Sequence, residues 1–189
     1  MSIVELTPRR EIAVASDLDW FWSQIAATVE QQDVAKPDQE RQLAIFRSVL
    51  QRLTDRDLVD FIHVFHAVMT RLYSWRLWAA AYVINGGCGD DAFIDFRSWL
   101  ISCGRAVAEA ALAEPETLAD PGLSPDAASF ELFGYEPIDE FMRRSGGVRS
   151  KPTYNVPIDP PSDPDWRFDF DDAVEMRRRL PKLMEQFGW

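Results

Sequence analysis

The sequence predicts an all-α fold: a compact bundle of about six helices around a central buried helical hairpin, with a Pro-rich irregular segment and a C-terminal helix. Three observations predict it. Between Thr54 and Leu72, apolar residues recur at i, i+3, i+4 and i+7 over about four turns. From Trp75 to Ile84 the polar face nearly disappears, the mark of a helix enclosed by other helices. Gly86-Gly87 then supplies left-handed backbone, separating that stretch from a second helical one that begins near Asp91.

Each element has its own signals. Ser16 or Asp17 caps a first helix running to about Gln32, with Leu18, Phe21, Trp22, Ile25 and Val29 on its apolar side. Pro37 suits the first turn of a second helix, where a missing N–H costs nothing. Leu43, Phe46, Val49, Leu50 and Leu53 form its stripe. Thr54 and Asp57 resemble a capping box at the start of the third helix, with Leu58, Phe61, Ile62, Phe65, Val68, Met69 and Leu72 inward.

The helix from Trp75 to Ile84 ends at the glycines, and Asp90 or Asp91 caps the next, expected to run unbroken from Asp91 to Ala113. On that helix Phe93, Phe96, Trp99, Leu100, Cys103 and Val107 share one face. Ile94, Ile101, Ala108 and Leu112 share a second, and Arg97 falls between the two. Beyond the loop at Pro121, Gly122 and Pro125, Ser124 caps a helix through Phe130, Leu132 and Phe133 toward Met142. Ser145 to Asp165 holds Gly146-Gly147 and five prolines and reads as irregular. Asp169 or Asp171 opens the terminal helix, which Pro181 kinks or restarts. The expected division is an extension over 1–15, a helical core over 16–144, an irregular segment over 145–168, and a C-terminal helix over 169–189 packed on the core.

Composition narrows the function classes. Hydrophobic residues make up 47% and aromatics 12%, enough to build a core. Asp and Glu number 31 against 20 Lys and Arg, a formal charge of −11 that repels phosphate backbones, so no nucleic-acid partner is expected. No apolar run approaches the roughly 20 residues of a membrane span, and no signal-peptide pattern is read at the N-terminus. Cys88 and Cys103 are too few and too far apart for a disulfide framework, which points to a reducing, cytoplasmic compartment.

The segment Tyr73 to Arg105 concentrates aromatics, glycines, acids and arginines. Asp90, Asp91 and Asp95 stand at the N-terminal end of a helix, where the macrodipole favours carboxylates; they serve the helix, or they supply oxygen donors or a general base for a ligand. Arg97 and Arg105, read as guanidinium groups between apolar faces, either pair with Asp57, Asp60 or Glu30 or grip a carboxylate or phosphate. Tyr82, Asp90, Asp91, Asp95, Arg97 and Arg105 are therefore the candidate ligand-binding residues. His63 and His66 share metal-compatible spacing, with Asp60 as a third donor, but projection puts His63 opposite the apolar stripe and favours exposed histidines. No metal site and no cofactor is assigned. Cys88 lies in a glycine turn near a helix start, where Asp90 and Asp91 oppose thiolate formation, and Cys103 reads as core. No catalytic residue and no phosphate-cradling motif is found.

These residues also carry a resemblance. Phe21-Trp22, Leu77-Trp78-Ala79-Ala80-Ala81-Tyr82, Gly86-Gly87-Cys88, Asp90-Asp91, Phe96-Arg97-Ser98-Trp99-Leu100 and Gly104-Arg105 follow one another in a long, specific order. With Pro115-Glu116-Thr117-Leu118-Ala119 downstream, the run from Asp17 to Asp120 resembles the bacterial domain-of-unknown-function family 4240. Gly89 departs from the serine expected there, and Arg178 to Leu183 looks like a tail of some actinobacterial members. The resemblance implies no activity, since the family name records none. Two functions fit: a non-enzymatic binding or interaction module with an acidic surface for a basic partner or peptide, or a small-molecule-binding protein or enzyme using the Asp/Arg group beside the Gly-Gly turn.

Overall fold

A computed structural model describes residues 2–9, 15–29, 38–119, 123, 128–147 and 163–189. Among these residues there are nine α-helices and no strand: α1 (Ala15–Val29), α2 (Gln39–Arg52), α3 (Asp55–Arg71), α4 (Trp75–Ile84), α5 (Asp90–Ser102), α6 (Arg105–Ala113), α7 (Glu131–Arg144), α8 (Ala173–Arg179) and α9 (Pro181–Phe187). No helix among them is long and apolar enough to cross a membrane. The chain divides into two compact units, one of Met1–Thr70 with Leu132–Pro157 and one of Arg71–Glu131 with Ile158–Trp189.

In the first unit, α1, α2, α3 and α7 surround a phenylalanine core. Phe21, Phe46, Phe61 and Phe133 are fully buried. Phe46 stacks on Phe133 with centroids 4.1 Å apart, and Phe61 meets Phe21 at 5.0 Å and Phe46 at 5.9 Å. A buried polar link joins α1 to α2: the Gln42 amide donates to the Thr28 hydroxyl (3.2 Å), which donates to the Ile25 carbonyl (2.8 Å). Every buried donor in that chain has an acceptor, as a core requires.

The helix ends obey local chemistry. Asp38 accepts from the Arg41 amide at 3.0 Å and caps α2; the predicted Pro37 and Ser124 positions lie outside the described residues. Thr54 accepts from the Asp57 amide (3.1 Å) while its hydroxyl donates to the Asp57 carboxylate (2.6 Å), giving the expected cap on α3. The last carbonyls of α2 are taken by Arg144 of α7, which donates to the oxygens of Leu50, Gln51 and Leu53. Its Nε reaches Glu140, which Arg143 also holds.

In the second unit α4 is enclosed as expected. Leu77, Ala79, Ala80, Ala81, Val83 and Ile84 are buried, and α4 packs against α5, α6, α9 and the 3-10 turns Pro115–Leu118 and Pro164–Trp166. Its start is capped twice. The Ser74 hydroxyl accepts from the Leu77 amide, and the Asp163 carboxylate accepts from the amides of Trp75 (2.8 Å) and Arg76 (3.0 Å). Glu116 does the same for Lys182 and Leu183 in the first turn of α9.

Two breaks raise the helix count above the expected one. The helix predicted to run unbroken from Asp91 to Ala113 is two, because Gly104 (φ 92°, ψ 170°) sits in a conformation open essentially to glycine alone. The terminal helix restarts at Pro181, whose missing N–H ends α8 and suits the first turn of α9. The predicted exposure of the histidines also needs correcting. His63 is half-buried and its Nδ1 is buried without a hydrogen-bond partner, because Val59, Val64 and Ala67 bury the second face of α3 as well.

Candidate functional site

The site predicted around the Gly-Gly turn is built on α4, α5 and the turn between them. Gly86 (φ 68°) and Gly87 (φ 128°) reverse the chain, and the Gly87 amide donates to the Tyr82 carbonyl at 2.8 Å. The Trp78 indole N–H donates to the Cys88 carbonyl (2.8 Å), fastening the turn to α4. Trp78 also stacks on Phe93 of α5 at 4.7 Å. Side chains on either flank of the turn therefore sit on a rigid frame.

Gly89 precedes α5 without a capping side chain, so Asp90 and Asp91, both exposed, are the acidic groups of the first helical turn. Asp95, one turn on, is half-buried, and its carbonyl accepts from the Phe130 amide at 3.2 Å. Burial lifts the Asp95 carboxyl above the usual range, and the charges of Glu131 and Asp91 lift it further. The start of α5 thus gathers three carboxyl groups.

Arg97 is half-buried. Its guanidinium lies 4.9 Å from the ring centroids of both Tyr73 and Phe93, and its Nε donates to the Phe93 carbonyl at 3.3 Å. Burial brings its pKa down to about 10. Ring faces are a substitute for water around a guanidinium, worth about 0.5–2 kcal/mol each. Of the carboxylates offered to Arg97 by the sequence, Asp57 and Asp60 hold Arg9, and Glu30 lies outside the described residues.

The remaining candidates turn to other partners. The Tyr82 hydroxyl donates to Asp171, which raises its pKa, and its ring packs on Phe170 (5.6 Å) and Trp189 (5.5 Å). Arg105 does not lie between apolar faces as expected. It is exposed at the start of α6 and pairs with Glu109 at 2.9 Å, because the break at Gly104 takes it off the register of α5. The turn therefore gathers Asp90, Asp91 and Asp95 at one helix start, with Arg97 further along α5. Tyr82 and Arg105 are engaged by Asp171 and Glu109.

Neither cysteine is an activated nucleophile. Burial pushes the Cys88 thiol to about 12, with Asp95 and Asp90 adding to the shift and Arg97 opposing it. Burial also pushes Cys103 to about 12. Among the described residues no group of three His, Cys, Asp or Glu side chains has metal-holding geometry, His63 and His66 included.

Sequence reasoning missed Asp171, Phe170 and Trp189 around Tyr82, and Asp163 at the start of α4. The Tyr82–Asp171 pair spans 89 positions, so no local spacing reports it. The one available signal was composition: Phe168, Phe170 and three nearby aspartates form an aromatic-acid run too rich for a plain helix cap.

A family model described as "Protein of unknown function (DUF4240)" matches residues 17–143. No curated protein matches the chain, and no solved structure does.

Proposed function

This chain belongs to the DUF4240 family, and on that premise we propose that it is a non-enzymatic binding module presenting an acidic surface to a basic partner. The observation that supports this reading is the gathering of carboxylates at the start of α5. Asp90 and Asp91 are exposed, and burial, with the charges of Glu131 and Asp91 adding to it, holds the Asp95 carboxyl up. A cationic side chain docking there relieves that repulsion and gains from the field of an acidic chain. The groups a catalyst would use are spoken for: Tyr82 by Asp171, Arg105 by Glu109, Arg97 by two rings and a carbonyl. The free thiols Cys88 and Cys103 fit the reducing cytoplasm as its compartment.

The test is titration of the protein with Lys/Arg-rich peptides at two ionic strengths. Screening lengths fall from about 30 Å at 0.01 M to about 10 Å at 0.1 M, so binding weakens steeply across that range. The double substitution Asp90→Asn, Asp91→Asn abolishes most of it. Binding insensitive to both salt and substitution refutes the reading. One observation favours a second reading, a small-molecule site: Arg97 keeps a half-buried charge beside the turn. A thermal-shift screen with metals, nucleotides, amino acids and phosphorylated metabolites selects it if a hit is lost in Arg97→Met.

A further inference from the structure

The segment before α1 is held on α3 in a way that separates a receptor from an occupant. Asp60 is wholly buried, whereas the Arg9 side chain that meets it is 52% exposed. One carboxylate oxygen of Asp60 accepts from the Arg9 main-chain amide (2.7 Å), and the other from Nε (2.9 Å) and Nη2 (2.7 Å). Asp57, one turn earlier on α3, accepts from the same Nη2 at 2.8 Å. The Thr54 hydroxyl engages the other oxygen of Asp57, which leaves Oδ1 aimed at the guanidinium. Arg56, next to Asp57 on α3, donates to the carbonyl of Thr7, two residues before Arg9, at 3.0 Å, and Ile3 is buried.

This pattern reads more than charge. It reads a guanidinium through two N–H groups that converge on one carboxylate oxygen of Asp60 and a further contact to Asp57, together with the main-chain amide of the same residue and a carbonyl two residues before it. A buried carboxylate without such a guanidinium is costly, so the position discriminates strongly for arginine. The acidic half belongs to a helix packed into the core, and the arginine half to a segment without helix between Leu6 and Arg9.

We propose that Asp57, Asp60 and Arg56 of α3 form a recognition site for an arginine-bearing extended peptide of a partner protein, and that Arg9 is its tethered competitor. The chain's acidity favours a basic partner here. No residue of α5 takes part, so this site stands or falls separately from the one proposed above. Tethering presents Arg9 at an effective concentration of about a millimolar, which masks the site against weaker peptides.

The experiment uses the full chain with Ile3→Ser and Arg9→Ala, which releases both anchors. The probe is a fluorescent, C-terminally amidated peptide with the sequence of residues 2–9, read by anisotropy. The released variant captures it saturably, at least about tenfold tighter than the unaltered chain. Capture is lost when the peptide's arginine is alanine and when Asp60→Asn is added, and it is unchanged by Asp90→Asn, Asp91→Asn. Should the released variant melt below the assay temperature, the same peptide raises its Tm and the alanine peptide does not. Absence of both arginine-dependent capture and that Tm rise overturns the proposal, as does capture that survives Asp60→Asn; Arg9 is then an internal clamp only.

Discussion

Arg144→Met removes a guanidinium while keeping most of its stem. In the protein that group is 14% exposed and donates to Glu140 (2.7 Å), Asp55 (3.0 Å), and the carbonyls of Leu50 (2.9 Å), Leu53 (2.8 Å) and Gln51 (3.3 Å). Breaking a buried ion pair costs about 3–5 kcal/mol when the survivor is stranded. Glu140 is not stranded, since Arg143 holds it at 2.6 and 2.8 Å, so only part of that cost applies. The Asp55 contact is exposed and worth under about 1 kcal/mol. The carbonyls at the end of α2 lose charge-assisted bonds of about 1.5–3 kcal/mol each, partly restored by water. With water replacing most of the carbonyl bonds and Arg143 retaining Glu140, the net loss is about 3 kcal/mol, or a Tm lower by roughly 6–12 °C for a chain of this size. Thermal melts and urea titrations of Arg144→Met, Glu140→Gln and the double variant measure it, and the cycle isolates the pair.

Acidification sharpens the same test. Burial pushes the Glu140 carboxyl up, but the hydrogen bonds and charges of Arg143 and Arg144 outweigh it and hold the group below 4.5. A carboxyl depressed in the folded state stabilises fully above its unfolded pKa and loses that contribution as pH falls through the folded value. The gap between the unaltered chain and Arg144→Met therefore narrows as the pH falls below the ordinary glutamate range, by the Glu140 share, while the share of the α2 carbonyls stays. A Tm change under about 2 °C at neutral pH, or a gap that persists undiminished to pH 3, refutes the reasoning.

Further expectations follow from burial and backbone. Phe46→Ala empties a fully buried site stacked at 4.1 Å on Phe133 and costs about 3–5 kcal/mol in a urea titration; a loss below about 1 kcal/mol means the core collapses around it. Gly104→Ala forces a side chain onto φ 92° and costs about 1–3 kcal/mol, and an unchanged urea midpoint shows that the α5–α6 break relaxes freely. Arg97→Met keeps the stem on Tyr73 and Phe93 and removes a charge that burial penalises, so its melt stays level or rises while Arg97→Ala loses about 2–4 kcal/mol; equal losses contradict this. Burial lowers His63 below 6.5, although Asp60 opposes the shift, so the unfolded chain takes up the proton first and stability falls as pH drops below about 6.5. His63→Phe flattens that slope in urea midpoints taken between pH 7.5 and 5.5, and an unaltered slope removes His63 as its source.

What was legible in the sequence was what depends on neighbours along the chain. Helix existence on α3 and α4, the Thr54–Asp57 cap and the glycine turn all rest on groups within four residues, and those hold. The unbroken helix over Asp91–Ala113 failed because apolar spacing continues across Gly104, while the break depends on a backbone angle that spacing does not encode. The partners of the candidate site residues were not legible. Asp60 and Arg9 are 51 positions apart, and an aspartate facing away from the main stripe of α3 looks solvent-bound until the second face is seen to be buried too. Its flanking Val59, Val64 and Ala67 were the available hint.

The interleaving of the two units carries a consequence for synthesis. Each unit is assembled from two stretches of chain, and neither unit is complete before part of the other has been made. The Trp75 amide leaves the ribosome 88 residues ahead of Asp163, whose carboxylate accepts from it and from the Arg76 amide. At about 5–20 residues per second that delay is roughly 4–18 s, during which an apolar helix has emerged without its distal cap. Truncation from the C-terminal side therefore leaves the start of α4 in that nascent condition permanently, however intact the matched family region remains.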